Sequence, residues 1–290
     1  MPNEDRRILN TLAKGAGITA AGMFISKAIT YFYRALVGRY LGPEAYGQLS
    51  IGIMIAGIAA TFAGDPVKNG IKKFIPEYRH EGDKAAIKGI VLSALQLNLL
   101  GSVIVGGIIF FSADFLAIQI FKNAALTPVI QVMGLLPLIK RPYLIFVETT
   151  VAYNKAKYKV ITTNIVQNII QLGITALLVI TFGMGVMGAI WGWVAGFALT
   201  LPLAFYYMEK KIGPILTEKI KPKYNRKELF QYSYPLMLSG IISVFLGWTD
   251  TAFLGYFMAE SAVGLYNAAF PTAMLLLIPH MAIGSLALSS

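Results

Sequence analysis

Residues 27–48 read KAITYFYRALVGRYLGPEAYGQ, and the fold class turns on them. The stretch is the outer half of an apolar helix, yet Lys27 and Arg34 lie well inside it. Seven residues is nearly two helical turns, so the two cations share one face, with Tyr31 between them. A charged side chain at bilayer depth costs about 2.5–3.5 kcal/mol on insertion scales and therefore faces a cavity or a partner. The segment closes in LGPEAYG, a short turn that returns the chain directly to apolar sequence. The pattern implies a membrane protein whose helix bundle encloses something wet or anionic.

Composition agrees. Of 290 residues, 56% are hydrophobic and 13% charged, and the mean hydropathy is +0.64. Soluble domains carry about 25% charged residues. The apolar runs are long and continuous, without the alternation of an outer-membrane barrel, so the fold class is all-α and polytopic, with about eight transmembrane helices. Cysteine is absent, which removes disulfides and thiolate chemistry. The N-terminus lacks a short apolar core with a small-residue cleavage site, so the first span is read as retained.

The spans are expected at 14–40, 47–69, 89–111, 125–151, 160–182, 186–208, 229–258 and from 262 onward. Gly42-Pro43 breaks the first, and Asp65-Pro66 ends the second. Residues 68–88 and 209–228 read as strongly basic loops, 112–123 as a polar segment, and Pro137 and Pro142 as interruptions of the fourth span. Gly188, Gly192 and Gly196 recur every fourth residue in the sixth span, a pattern that admits a neighbouring helix. Under this topology 19 of the 25 Lys and Arg residues fall on the side of the N-terminus, only Arg39 and Lys122 on the other. The N-terminus is therefore expected to be cytoplasmic, and the net charge of +11 reflects the positive-inside rule, not nucleic-acid binding.

An internal repeat refines this. At an offset of 217, Ala35–Gly47 aligns with Ala252–Gly264 (ALVGRYLGPEAYG with AFLGYFMAESAVG), with four of thirteen positions identical. Both copies start on the same side, as a parallel repeat about an axis along the membrane normal requires. Residues 1–222 then form a first six-helix lobe and 223–290 the start of a second, which the sequence leads us to expect is incomplete.

The run into GRYLGPEAYGQLS, the segment KKFIPEYR and the segment RKELFQYSYPLMLSGI resemble the polysaccharide-transport family. This is a group of lipid-linked oligosaccharide flippases in the multidrug/oligosaccharidyl-lipid/polysaccharide exporter superfamily. The resemblance implies two six-helix lobes around a cavity that opens to alternate sides, undecaprenyl- or dolichyl-linked glycans as cargo, and cations in the first helix. Lys27 and Arg34 match the last feature.

Several side chains are candidates for binding substrate. Lys27, Lys140 and Arg141 are expected at similar depth near mid-bilayer, where several cations suit a pyrophosphate head group. Alternatively Arg141 and Glu148, seven apart, engage each other through neighbours. Asn164, Asn168, Gln171 and Thr175 form one polar stripe, fit either for hydrogen bonds to sugars or for holding helices together. Tyr31 and Arg34 complete the set. Asp65 and Glu148 are coupling or gating candidates, an interface salt bridge being the plainer role for Asp65. The repeat makes Asp250 a partner for Arg34 in an outer gate, unless it pairs within its own lobe. His280 reads as a packing residue.

The function these residues favour is flipping of lipid-linked oligosaccharide precursors across the plasma membrane by alternating access. Such a protein works with membrane lipid and a lipid-linked pyrophosphate glycan, with or without a coupling cation. It needs no cofactor and does no enzymatic chemistry. A multidrug exporter of the same superfamily would need acidic midplane charges; a membrane glycosyltransferase would need a catalytic acid in a longer external loop.

Overall fold

The computed structural model describes residues 2–273, with side chains described from Ala21 onward. Among these residues all regular secondary structure is helical, with no strand. We number eight helices: α1 Pro2–Phe62, α2 Val67–His80, α3 Lys84–Ile120, α4 Leu126–Ala152, α5 Lys157–Thr181, α6 Gly185–Ile212, α7 Arg226–Phe257 and α8 Glu260–Ala273. Six segments are long and apolar enough to cross a membrane, the first being Ala21–Phe62 within α1.

That first segment is two arms. Gly42 has φ +77° and ψ 177°, a combination that favours glycine, and Pro43 follows with no N–H to donate. The chain therefore reverses between 41 and 43 with almost no loop. A second break, at Gly64 with φ +99°, separates the returning arm from α2.

The basic stretch expected as a loop after residue 68 is instead helix α2. Its buried residues, Val67, Gly70, Ile71, Phe74, Ile75 and Tyr78, recur at three- and four-residue spacing, while Lys72, Lys73 and Arg79 lie off that buried face. Charge density hid an amphipathic helix. The polar segment expected at 112–123 is likewise helical as far as Ile120, where α3 ends in a π-helical turn. In α4 only Leu136-Pro137 interrupts the helix, and Pro142 is accommodated within it.

The exposed apolar side chains of α3 run from Leu99 to Ile118. Nineteen steps of 1.5 Å give a belt of about 28 Å, the thickness of a bilayer's hydrocarbon core. The turns at Gly42, 121–125 and 258–260 meet at one end of this belt, where Asn123 Nδ2 donates to Glu260 Oε1 at 2.9 Å. We call this the outer end, and the end near Gly82 and Tyr153 the inner one.

Close approaches through small residues assemble the bundle. Gly188, Gly192 and Gly196 of α6 lie against Leu178, Thr175 and Gln171 of α5. Helix α7 runs along the returning arm of α1 and on to α2: Gly255 meets Phe121 and Ile51, Trp248 covers Gly57, and Gly240 meets Thr61 and Pro66. Lower down, Leu229 covers Gly70, and the rings of Tyr232 and Phe74 meet edge to face at 5.6 Å.

The segment joining α6 to α7 is fastened down. Buried Glu209 accepts from Leu216 N at 2.7 Å and Thr217 Oγ1 at 2.6 Å. Lys88 Nζ donates to the Glu218 carbonyl at 2.6 Å, and Lys223 N to the Ala85 carbonyl at 3.0 Å. Tyr78 donates to Glu228 at 3.0 Å and accepts from Asn225 at 2.6 Å. Burial, and then the Glu228 carboxylate, pushes the Tyr78 hydroxyl up to about 12.

Candidate functional site: a cationic cluster at the inner edge of the bundle

Asp65 sits in the break between α1 and α2, which Gly64 makes possible. Its carboxylate is shared: Oδ2 accepts from Lys68 Nζ at 2.6 Å, and Oδ1 from Arg141 Nη1 of α4. The Arg141 side chain is 3% exposed, and its Nε has no hydrogen-bond partner. Lys140, one residue earlier, lies within Coulomb range of Asp65, Lys68 and Arg141, and its ammonium stands 5.2 Å from the centre of the Phe197 ring. Phe197 in turn packs against Tyr143 at 5.5 Å. One carboxylate is thus shared by two cations, with Lys140 adjacent in sequence to one of them, and the surplus is positive. An excess of donors around a buried guanidinium favours an incoming anion with several acceptor oxygens.

Depth is set by the neighbours. A Cβ at Gly64 would lie 3.2 Å from Asn98 Oδ1, and Gly101 rests on Ala63, so Asp65 is level with the start of the apolar belt at Leu99. Arg141 is fifteen residues inward of Leu126, and Lys27 fifteen inward of Gly42, about 22 Å in each case. They share a depth, as expected, but it lies in the inner third of the belt and not at its middle. The difference arises because α1 extends inward to Pro2, so the midpoint of the apolar run is not the midpoint of the bilayer.

Arg141 and Glu148 do not engage each other. Glu148, 4% exposed, pairs with Lys159 Nζ of α5 at 2.8 Å across the α4–α5 hairpin, and its Oε2 has no partner. The polar stripe of α5 is used in packing. Asn168 Nδ2 donates to Ser26 Oγ at 2.8 Å, Gln167 Nε2 to Gln171 Oε1 at 2.9 Å, and Asn164 borders Gly22. Gln171 is buried against α6, so sugar hydroxyls do not reach it here.

Lys27 and Tyr31 are exposed and Arg34 half-buried, on the face of α1 turned from α5. The ion pairs among the described residues do not include Arg34 with Asp250; Asp250 accepts from the Tyr266 hydroxyl of α8 instead. The repeat explains why. Asp250 is the counterpart of Tyr33, which is buried toward α5 and α6 within the first lobe, whereas Arg34 lies 100° further round the helix. His280 lies outside the described residues.

The salt bridge expected for Asp65 forms with Lys68, while sequence reasoning missed Arg141 as its second partner and Lys159 as the partner of Glu148. The three-residue step from Asp65 to Lys68 was a usable signal, because such pairs are neighbours on a helical turn. Nothing local points from Glu148 to Lys159.

Helices of this length and hydropathy, packed around buried ion pairs, define a polytopic helical membrane protein. The chain belongs to the polysaccharide biosynthesis protein family, whose sequence profile matches residues 12–288. Its fold is shared with solved transporters of the multidrug/oligosaccharidyl-lipid/polysaccharide exporter superfamily. A curated relative, the probable low-salt glycan biosynthesis flippase Agl15 of Haloferax volcanii, is 26% identical over 278 residues, covering 93% of this chain and 51% of its own. Among solved structures, an inward-facing multidrug resistance MATE family transporter superposes with a TM-score of 0.68 at 17% identity, over 89% of this chain and 62% of that one. A superfamily transporter from Pyrococcus furiosus, described by the reverse polarity of its binding pocket, gives 0.63 at 16% identity, over 89% and 64%. The chain spans about half the length of the curated relative.

Proposed function

We propose that this chain supplies the first lobe, and the opening helices of the second, of a transporter that flips lipid-linked oligosaccharides from the cytoplasmic to the outer leaflet of the plasma membrane. The observation that carries the reading is the positive surplus around Asp65: three cations and one carboxylate at the inner end of the apolar belt. A diphosphate linking glycan to lipid carries its charge at this depth when the lipid tail lies in the inner leaflet. Arg141 offers an unpartnered Nε–H, while Lys68 and Lys140 supply ammonium groups beside it. Lys27 and Arg34 extend the basic path outward along α1.

The N-terminus is cytoplasmic in this scheme, by the placement of Lys and Arg. The relative's naming as a glycan flippase supports the cargo class. The basic cluster weighs against a multidrug exporter of cationic compounds, and a protein of this kind moves its cargo without making or breaking a bond. Residues 1–222 and 223–290 act as parts of two lobes that rock about the cavity.

The test is a flipping assay in proteoliposomes with the full-length protein and lipid-linked sugars. Lys27→Ala and Arg141→Ala are expected to abolish transport with membrane insertion intact, and Lys27→Arg to retain part of it. Normal transport in both alanine variants overturns the site.

A further inference from the structure

The repeat that organises the sequence also organises one contact. At the outer end, Gly47 of α1 lies against the main-chain carbonyl of Glu260, and Gly264 of α8 against the main-chain carbonyl of Pro43. At the offset of 217, Pro43 corresponds to Glu260 and Gly47 to Gly264. The two contacts are therefore the same contact made twice, each repeat's glycine against the other repeat's first-turn carbonyl, as a two-fold axis demands. At both glycines a methyl group would overlap the opposing carbonyl, so the helices cross at backbone distance. Two side-chain ties flank the crossing: Asn123 Nδ2 to Glu260 Oε1 at 2.9 Å, and the Lys122 ammonium 5.6 Å from the centre of the Tyr256 ring.

We propose that Gly47 and Gly264 form the outer seal between the two lobes, a glycine-on-carbonyl crossing that closes the cavity to the outside and parts when cargo leaves. This rests on the alternating-access reading above. The crossing sits at the outer limit of the apolar belt, where cargo bound at the inner cationic cluster must exit. It takes the place that an Arg34–Asp250 pair would have occupied, and it suits the task differently. Two neutral backbones held by van der Waals contact can part without separating charges in a low-dielectric site, and they mate again only when glycine is present on both sides.

Residues 1–290 contain no cysteine, so in a full-length protein whose remaining residues are also made cysteine-free, single introduced thiols report on the seal without background. Ile51 is fully buried inward of the crossing, against Gly255 of α7. In the full-length protein in nanodiscs, where both faces are open to reagent, maleimide labelling of Ile51→Cys reads the open fraction. Gly47→Val or Gly264→Val is expected to raise the labelling rate about tenfold or more, the scale of a lost equilibrium bias from overpacking. Gly107→Val, where no atom lies within 4 Å of the added carbon, leaves the rate unchanged. The second arm avoids bulky residues. Bridging Asn123→Cys to Glu260→Cys with a short bifunctional thiol reagent should suppress labelling at position 51 and stop transport, both reversing on cleavage of the bridge. Unchanged labelling in both valine variants, or full transport by bridged protein, overturns the seal. Labelling that follows the pattern while no lipid-linked sugar is moved by any variant keeps the seal and removes the cargo assignment.

Discussion

Removing the carboxylate of Asp65 is expected to destabilise the protein more than removing the guanidinium it holds. Asp65→Asn leaves Arg141, 3% exposed, as a buried cation beside Lys68 and Lys140 with no counter-charge. Breaking a buried pair by deleting one member costs about 3–5 kcal/mol; Asp65 retains 28% exposure, so the lower bound of about 3 kcal/mol applies. Arg141→Met instead removes the buried charge, fills its stem volume and leaves Asp65 paired with Lys68 at 2.6 Å. Its cost is about 1 kcal/mol, because apolar replacement of a buried ion is nearly neutral. At about 2 °C per kcal/mol for a chain of this size, the Tm falls by about 6 °C for Asp65→Asn and about 2 °C for Arg141→Met. The double variant should resemble Arg141→Met alone, since no unpaired buried guanidinium remains. The assay is thermal unfolding in one detergent at one scan rate, followed by tryptophan emission. A double variant that falls by the sum of the single shifts, or an Arg141→Met shift larger than that of Asp65→Asn, would refute the reasoning.

Asn168→Ala and Gln171→Ala should each cost about 0.6 kcal/mol, the mean for interhelical polar contacts, and leave transport near wild type; transport loss without stability loss would return these amides to the cargo path. Glu209→Ala releases the backbone N–H groups of Leu216 and Thr217, and limited proteolysis should cut within 213–225 several-fold faster; an unchanged cleavage rate would show that the clasp is not what orders this segment. Lys159→Ala strands the buried Glu148 carboxylate, whereas Glu148→Gln with Lys159→Ala removes both charges, so the double variant should be the more stable of the two by about 1 kcal/mol or more in thermal unfolding.

The architecture was legible wherever a local rule governs it. Long apolar runs, the Gly42-Pro43 break and the small-residue face of α6 are each set by backbone geometry within a few residues. The repeat was legible from four identities, and one of them, the pair Gly47 and Gly264, meets the opposing copy in the structure. Helix α2 was not, because its net charge masked the spacing of Ile71, Phe74, Ile75 and Tyr78. The ion pairs were legible only in part. Asp65 and Lys68 are three residues apart, but Arg141 and Lys159 find their partners through helix packing, which fixes depth and rotation to within a turn that residue counting does not resolve. The Asp250 contact was not legible for the same reason: the repeat sets Asp250 against Tyr33 and not Arg34, and in the structure it accepts from Tyr266.

The fastened segment after α6, with α7 laid along α1 and α2, bears on how the molecule is built. The repeat divides the chain near residue 222, but the packing does not. Helix α7 is the first element of the second copy to emerge during synthesis, and the α1 arm and α2 that it lies along precede it in the chain. A swap made at the repeat boundary would mismatch contacts such as Leu229 on Gly70 and Trp248 on Gly57, so chimaeras between relatives should carry α1, α2 and α7 from one parent.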